Sequence, residues 1–114
     1  MTKNKIVLVS FPFDDFSSAK LRPAICLTNP IGAHSHVVLA FITSKVPDHL
    51  LKTNIVLNSE QEDFTETGLR VSSTIRLHRL MTITTSIIQR ELGTLPFRVD
   101  IEVKAKLMEL FNLT

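Results

Sequence analysis

The fold of this chain is set by the stretch Ile6-Val-Leu-Val-Ser-Phe-Pro-Phe13, Asp14-Asp-Phe-Ser-Ser-Ala-Lys-Leu21 and Arg22-Pro-Ala-Ile-Cys-Leu-Thr28. Two apolar runs separated by a polar loop are typical of neighbouring antiparallel strands. Pro23 restricts the backbone at the start of the second run. Arg22 therefore lies at the start of a predicted strand, with a permanent charge and a planar fork that matches phosphate oxygens.

Further strand signals continue through the first two thirds of the chain. Apolar or β-branched runs cover residues 37–43, 54–57 and 70–83, and Asn29-Pro-Ile-Gly32 reads as a turn. Strands joined by short, turn-rich connections favour a small antiparallel β-barrel over a parallel α/β sheet. We expect a mainly β protein that ends in an α-helix.

The last third of the sequence changes to helical spacing. Residues 85–92 predict a short helix that ends at Gly93, a favourable residue after a helix. Residues 96–111 predict a second helix that begins at Pro96 and has one apolar face. That face consists of Val99, Val103, Leu107, Leu110 and Phe111.

Within the second predicted helix, Met108 and Phe111 are expected in the core. Glu102 and Lys106 are four residues apart, so they should form an ion pair on the solvent face. The pair would stabilise the helix without contributing to a functional site.

Composition indicates one folded domain over residues 1–114, with 44% hydrophobic and 21% charged residues. The mean hydropathy of +0.19 fits either a small β-rich core or apolar surface covered by a partner. The first apolar run is broken by Pro12 and Asp14, so neither a signal peptide nor a membrane span is expected, and the protein should be cytoplasmic. Cys26 lies within an apolar run, which predicts a buried, unreactive thiol.

Charge is more informative in its distribution than in its total. The formal net charge of +2 permits nucleic-acid binding without arguing for it. Arg70, Arg76, Arg79 and Arg90 follow one another with no acidic residue between the first and the last. An acidic stretch, residues 60–66, precedes them, so a basic surface should adjoin an acidic loop.

Three segments could contact phosphate. Arg22 could bind it, or could instead pair with Asp14 or Asp15 across the loop. Thr43-Ser44-Lys45 at a strand end could donate to a phosphodiester, or could simply cap the strand. Arg76 and Arg79 have an odd separation that predicts opposite faces of a strand, with His78 on the same face as Arg76.

Metal and cofactor chemistry has little support. His34 and His36 would need a further ligand, and the other histidines are His49 and His78. The four histidines also leave open a paired-histidine acid–base site. Motifs for nucleotide cofactors, serine hydrolysis and zinc proteolysis are missing from the sequence, and we expect neither a metal nor a cofactor.

Taken together, these segments resemble the MazF/PemK family of toxin endoribonucleases over nearly the whole chain. The matching segments are Lys5-Ile-Val-Leu-Val-Ser-Phe11, Leu21-Arg-Pro-Ala-Ile-Cys-Leu27, Leu39-Ala-Phe-Ile-Thr-Ser44, Val71-Ser-Ser-Thr-Ile75, Arg79-Leu-Met-Thr-Ile83, Gln89-Arg-Glu-Leu-Gly-Thr-Leu95 and the final helix. Two departures are Asn4-Lys5, where the family commonly has Gly-Asp, and a loop before Arg22 that lacks glycine. The second departure leaves the RNA-contacting loop serine unassigned.

The resemblance implies an SH3-like, CcdB/PemK-like barrel with a C-terminal helix, acting as a homodimer. It implies sequence-selective, metal-independent cleavage of single-stranded RNA and inhibition by a cognate antitoxin. Arg22 matches the family's active-site arginine and Thr43 its active-site threonine, and Arg79 falls where the family often has a polar RNA-contacting residue. The further RNA-binding candidates are Phe16, Ser17, Ser18, Lys20, Ser44, Lys45 and Arg76; Phe13 is a second aromatic in that region but is expected in the core.

Two other functions fit the same fold. One is a non-hydrolytic poison that binds a protein such as a topoisomerase through the C-terminal helix. The other is a catalytically silent, SH3-like nucleic-acid-binding module. Arg22 and Thr43 together favour the nuclease, since a poison needs neither.

Overall fold

Six strands and a C-terminal helix make up the computed structural model, which describes residues 2–11 and 20–113, without the side chain of Phe11. Phe13, Phe16, Ser17 and Ser18 lie outside the described residues. The elements are β1 (Lys5–Phe11), β2 (Lys20–Cys26), β3 (His36–Thr43), β4 (Asn54–Leu57), β5 (Ser73–Thr84), β6 (Ile88–Thr94) and α1 (Phe97–Leu110). Short 3-10 helices, Glu62–Thr67 and Thr85–Ile87, precede and follow β5.

The strands form one antiparallel sheet in the order β4-β5-β3-β2-β1-β6. The mainly β fold with a terminal helix is confirmed. The sheet is not closed, because β4 and β6 are its two edges among the described strands. The word barrel therefore applies only loosely.

Both faces of the sheet are covered by apolar packing. Because successive side chains of a strand alternate in direction, Ile6 joins one cluster while Val7 and Val9 join the other. The cluster beside the helix also contains Ile25, Ile42, Ile55, Leu57, Ile75, Leu77, Val99 and Val103. This two-sided burial is consistent with the mean hydropathy of +0.19.

The helix predicted over residues 85–92 is wrong. Residues Thr85–Ile87 form one 3-10 turn, and Ile88–Thr94 form the edge strand β6, which pairs with β1 from Ile88 opposite Val9 to Thr94 opposite Lys5. Gly93 is therefore a strand residue and does not end a helix. The available hydrogen bonds along β1 outweigh the weak helical spacing of this short segment.

The terminal helix is confirmed, but its predicted core is only partly right. Val99 and Val103 are buried, whereas Met108 and Phe111 are exposed. Met108 is nine residues from Val99, which places it about 180° around the helix from that buried side. None of the described helices is long and apolar enough to cross a membrane.

The predicted Glu102–Lys106 ion pair is also wrong. The ammonium group of Lys106 donates to the carbonyl oxygen of Lys52 at 2.8 Å. Instead, Lys104 pairs with Asp100 at 3.1 Å, also with a spacing of four residues. Lys106 thereby ties α1 to the segment before β4.

Candidate active site

Arg22 and Thr43 lie on the same face of the sheet. Ala24, two residues after Arg22, pairs with Phe41, two residues before Thr43. Side chains two residues apart on a strand point to the same face. Neighbouring strands β2 and β3 therefore present the two predicted catalytic residues side by side.

An irregularity in β5 brings two more arginines to this face. Ala40 pairs with Leu80 and Ile42 pairs with Ile75, so the single residue Phe41 lies opposite residues 76–79 of β5. Extra residues on one strand break its alternation and redirect its side chains. The prediction that Arg76 and Arg79 occupy opposite faces is therefore wrong, because both line one cavity with Arg22.

His78, which was predicted to share a strand face with Arg76, is not among the described residues that line this cavity. Its Nδ1 atom is hydrogen-bonded to the hydroxyl of Thr53 at 2.8 Å. Thr53 precedes Asn54, the residue that pairs with Arg76, so His78 contacts the chain beside the cleft without lining it.

We call the resulting cavity the arginine cleft. Its volume is about 140 Å³, and its described lining consists of Arg22, Phe41, Ile42, Thr43, Arg76 and Arg79. Pockets for drug-sized ligands occupy roughly 300–1,000 Å³, so this cleft suits a group the size of a phosphate. Neither Arg76 nor Arg79 forms an ion pair with another described residue, which leaves their charges available to an anion.

Backbone contacts hold Thr43 in place. Its hydroxyl oxygen accepts a hydrogen bond from the backbone N–H of Lys45 at 3.3 Å. The carbonyl oxygen of Lys45 accepts a bond from the hydroxyl of Thr74, the residue paired with Thr43, at 2.8 Å. The Thr43 hydroxyl hydrogen remains able to donate to a phosphate oxygen.

The remaining predicted contacts do not all converge on the arginine cleft. Lys45 lines a neighbouring pocket, and Ser44 lines a third cavity together with Arg70 and Arg90. Lys20 is exposed on β2, on the same side as Arg22 but outside the cleft lining. The predicted contacts in the loop, Phe16, Ser17 and Ser18, lie outside the described residues.

The neighbouring pocket, which we call the β3–β4 pocket, has a volume of about 510 Å³. It shares Thr43 and Arg76 with the arginine cleft, so the two form one continuous surface. The other described lining residues are Lys45, Val46, Pro47, Asp48, His49, Leu51, Asn54 and Thr74. Sequence reasoning missed Asn54 here, and its one signal was a polar residue at the start of a β-branched run.

Cys26 and the histidine pair lie apart from this surface. Burial, together with the charge of Glu91, raises the pKa of the Cys26 thiol to about 11, which leaves the thiol neutral near pH 7. The rings of His34 and His36 stack with centroids 5.8 Å apart. Within the part of the chain that the structure describes, no three His, Cys, Asp or Glu side chains are grouped to hold a metal ion.

The fold and cleft define a class of small antiparallel β proteins with an arginine-lined, phosphate-sized site. The family model for PemK-like, MazF-like toxins of type II toxin–antitoxin systems matches residues 2–111. The chain belongs to this family. No curated protein sequence matches it significantly.

Solved structures share the fold. The Mycobacterium tuberculosis toxin MazF-mt6 has 20% identity and a TM-score of 0.72, with 95% of this chain and 96% of that chain covered. The MazE–MazF complex (Form II) from Deinococcus radiodurans has 19% identity and a TM-score of 0.76, covering 100% and 97%. An endoribonuclease in complex with its cognate antitoxin, from a mycobacterial species, has 11% identity and a TM-score of 0.73, covering 100% and 97%.

Proposed function

We propose that this toxin is an endoribonuclease that cuts single-stranded RNA selectively by sequence and without a metal ion. The observation that carries the proposal is the convergence of Arg22, Thr43, Arg76 and Arg79 on a cavity of about 140 Å³. Three guanidinium groups and one hydroxyl suit a phosphodiester, which carries negative charge and accepts hydrogen bonds.

In the proposed reaction, the ribose 2′-oxygen attacks the adjacent phosphorus. The new O2′–P bond forms as the P–O5′ bond breaks, giving a 2′,3′-cyclic phosphate and a 5′-hydroxyl. The 2′-hydroxyl loses a proton and the leaving 5′-oxygen gains one. Arg22 stabilises the charge that develops on the equatorial oxygens, while Thr43 orients the phosphate.

Arginine itself is a poor proton acceptor, so the role of Arg22 is electrostatic. Arg76 and Arg79 add positive charge to the same cleft. Together the three side chains supply charge stabilisation of the kind that a metal ion gives in other nucleases, which supports metal independence.

The proposal includes a homodimer that acts in the cytoplasm as a single domain and is inhibited by a cognate antitoxin. Two of the similar structures are by title complexes of a toxin with its antitoxin. An acidic antitoxin segment would be complementary in charge to the arginine cleft.

The test is incubation of the purified protein with a long single-stranded RNA in EDTA, followed by fragment mapping and end-group analysis. We expect discrete cuts with cyclic phosphate or 3′-phosphate ends. Arg22→Ala should reduce the cleavage rate about 10²–10³-fold, the effect of losing one oxyanion donor. Arg98→Ala, which removes an arginine paired with Asp63 away from the cleft, is the matched control and should cleave normally.

Intact RNA at high enzyme excess would contradict the proposal. It would favour the non-hydrolytic protein-targeting poison, for which α1 and the residue after it offer an exposed apolar stripe of Phe97, Ile101, Met108 and Phe111. RNA binding without product would favour the silent nucleic-acid-binding module. Unchanged cleavage by Arg22→Ala would remove Arg22 from the mechanism.

A further inference from the structure

We propose that the β3–β4 pocket holds the nucleobase next to the cleaved phosphate and that Asn54 selects a keto base, uracil or guanine, there. The inference rests on the proposed function and adds to it a specificity-determining residue. The β3–β4 pocket has a volume of about 510 Å³, which lies within the usual range for small-molecule sites. The arginine cleft beside it is only large enough for a phosphate.

The position of the pocket fits a neighbouring nucleotide. Thr43 and Arg76 line both cavities, and Asn54 pairs directly with Arg76 across β4 and β5. A phosphate held by Thr43 and Arg76 therefore places the adjoining base at the pocket. Val46, Pro47 and Leu51 provide apolar surface for its ring, as unstacked RNA bases require.

Asn54 is held so that its amide can donate. The side-chain oxygen accepts a hydrogen bond from the backbone N–H of Leu51 at 2.9 Å, which orients the amide. Its NH₂ group has no hydrogen-bond partner among the described residues. Every fully buried side-chain polar atom among those residues has a partner, so the NH₂ group must be accessible. Asn54 is only 7% exposed and is one of the residues that line the pocket, so in this proposal its accessible NH₂ group is available to a base there.

Hydrogen-bond complementarity favours a keto base. The Asn54 amide nitrogen offers only donors, while the carboxylate of Asp48 in the same pocket offers only acceptors. Uracil and guanine each present a carbonyl oxygen beside a ring N–H. Adenine and cytosine present an exocyclic amine that would oppose the Asn54 donors.

Asn54→Asp tests this inference with little change in shape. The aspartate can still accept from the Leu51 N–H, but it replaces the donors with an acceptor. In fragment mapping of a randomised RNA pool, we expect the preference for uracil or guanine at one position beside the cut to shift toward adenine or cytosine. Cleavage of the wild-type motif should fall about tenfold, the value of one hydrogen bond.

Asn58→Asp is the matched control. The Asn58 side-chain oxygen accepts from the backbone N–H of Glu60 at 2.9 Å in an exposed turn outside the pocket. The same chemical change there should leave every preference intact. An unaltered preference in Asn54→Asp, an equal loss at all positions, or a wild-type pattern without a keto preference would overturn the inference.

A second pair of variants tests the pocket at exposed positions, where a substitution should not unfold the protein. Leu51→Ala trims an exposed pocket side chain, while Leu50→Ala trims an equally exposed neighbour outside the lining. Leu51→Ala should weaken the keto preference at that one position, and Leu50→Ala should not. Equal effects of the two variants would argue against a base in the pocket.

The design separates this inference from the proposed function. If the wild-type protein cuts no RNA, the proposed function fails and the pocket is tested by fluorescence anisotropy with RNA heptamers that differ in one central base. The inference would be supported if heptamers with central uracil or guanine bind more tightly than those with adenine or cytosine, and if Asn54→Asp abolishes that difference. Base-independent binding, or an Asn54→Asp effect confined to antitoxin binding, would overturn it.

Discussion

Gly93 shows how one residue sets the approach of two elements. A Cβ atom at this position would overlap the backbone of Glu66 and Thr67, at the end of the first 3-10 helix. Overlap with backbone cannot be relieved by a rotamer change, so β6 or the 3-10 helix would have to move. Glycine is therefore required here by proximity and not by a helix ending.

We predict that Gly93→Ala lowers the free energy of unfolding by about 3 kcal/mol, the upper range for overpacking. Gly32→Ala is the control, because Gly32 has a φ of +74° and open space around its Cβ position. That variant should lose only about 1 kcal/mol, from the left-handed backbone alone. Urea denaturation measures both, and equal losses would contradict the close approach at Gly93.

Asn54 and Cys26 are two polar or reactive side chains with different environments. Asn54 keeps its amide donors at a pocket, whereas burial holds the Cys26 thiol neutral. Under the proposal above, Asn54 recognises a ligand and Cys26 does not. The tertiary surroundings, and not residue type, separate a candidate contact from a core residue.

At the scale of elements, α1 has two apolar sides with different environments. Val99 and Val103 are buried against the sheet, while Phe97, Ile101, Met108 and Phe111 are exposed. The energetic contribution of the helix to folding should therefore come from one side only.

Val103→Ala should lower the free energy of unfolding by about 1–3 kcal/mol, because it removes buried methyl groups and leaves a cavity. Met108→Ala should change it by less than about 0.5 kcal/mol, as is usual for exposed positions. Thermal or urea unfolding of the two variants checks this expectation. A large loss from Met108→Ala would show that this side is covered in solution.

The irregular pairing of β3 with β5 has a different consequence. Residues 76–79 of β5 lie opposite one residue of β3, which turns Arg76 and Arg79 toward the same cleft. A regular strand would have separated them. The site therefore depends on a local departure from strand geometry.

At the scale of the whole molecule, the predicted basic run is divided, because Arg76 and Arg79 line the arginine cleft whereas Arg70 and Arg90 line another cavity. Arg22, Arg76 and Arg79 share the arginine cleft, while Glu60, Glu62 and Asp63 lie together with Arg98 elsewhere. Arg98 donates to both carboxylate oxygens of Asp63, at 2.7 and 2.8 Å. The protein therefore has separate basic and acidic surfaces, although its formal net charge is only +2.

This segregation predicts strong salt dependence of RNA binding, measured with 2′-O-methyl RNA that cannot react. Each neutralised phosphate of a single strand contributes about −0.7 to the slope of log affinity against log salt concentration. Arg79→Ala should reduce the magnitude of the slope by about 0.7, while Arg98→Ala should not change it. Equal slopes for all three proteins would show that Arg79 does not contact phosphate.

The sequence alone determined where most of the strands and the terminal helix lie. Strands form around the apolar runs at residues 6–11, 24–28, 37–43 and 54–57. A short apolar run of this kind, rich in β-branched residues, can be buried in few structures other than a strand. The spacing from Pro96 onward likewise specified α1. Segment 85–92 was ambiguous, since a short apolar run fits a helix or an edge strand and only pairing with β1 decided it.

In the candidate site, too, some residues could be predicted from the sequence and others could not. Arg22 and Thr43 could be identified because each lies within a family motif, although Arg22 lies inside β2 and not at its start, as the sequence had predicted, while Thr43 ends β3. The convergence of Arg76 and Arg79, the exclusion of His78 and the placement of Asn54 were decided by tertiary structure alone. For the arginines, the physical reason is that β5 departs from regular alternation against β3, and for Asn54 it is the pairing of β4 with β5; both depend on contacts between segments distant in sequence.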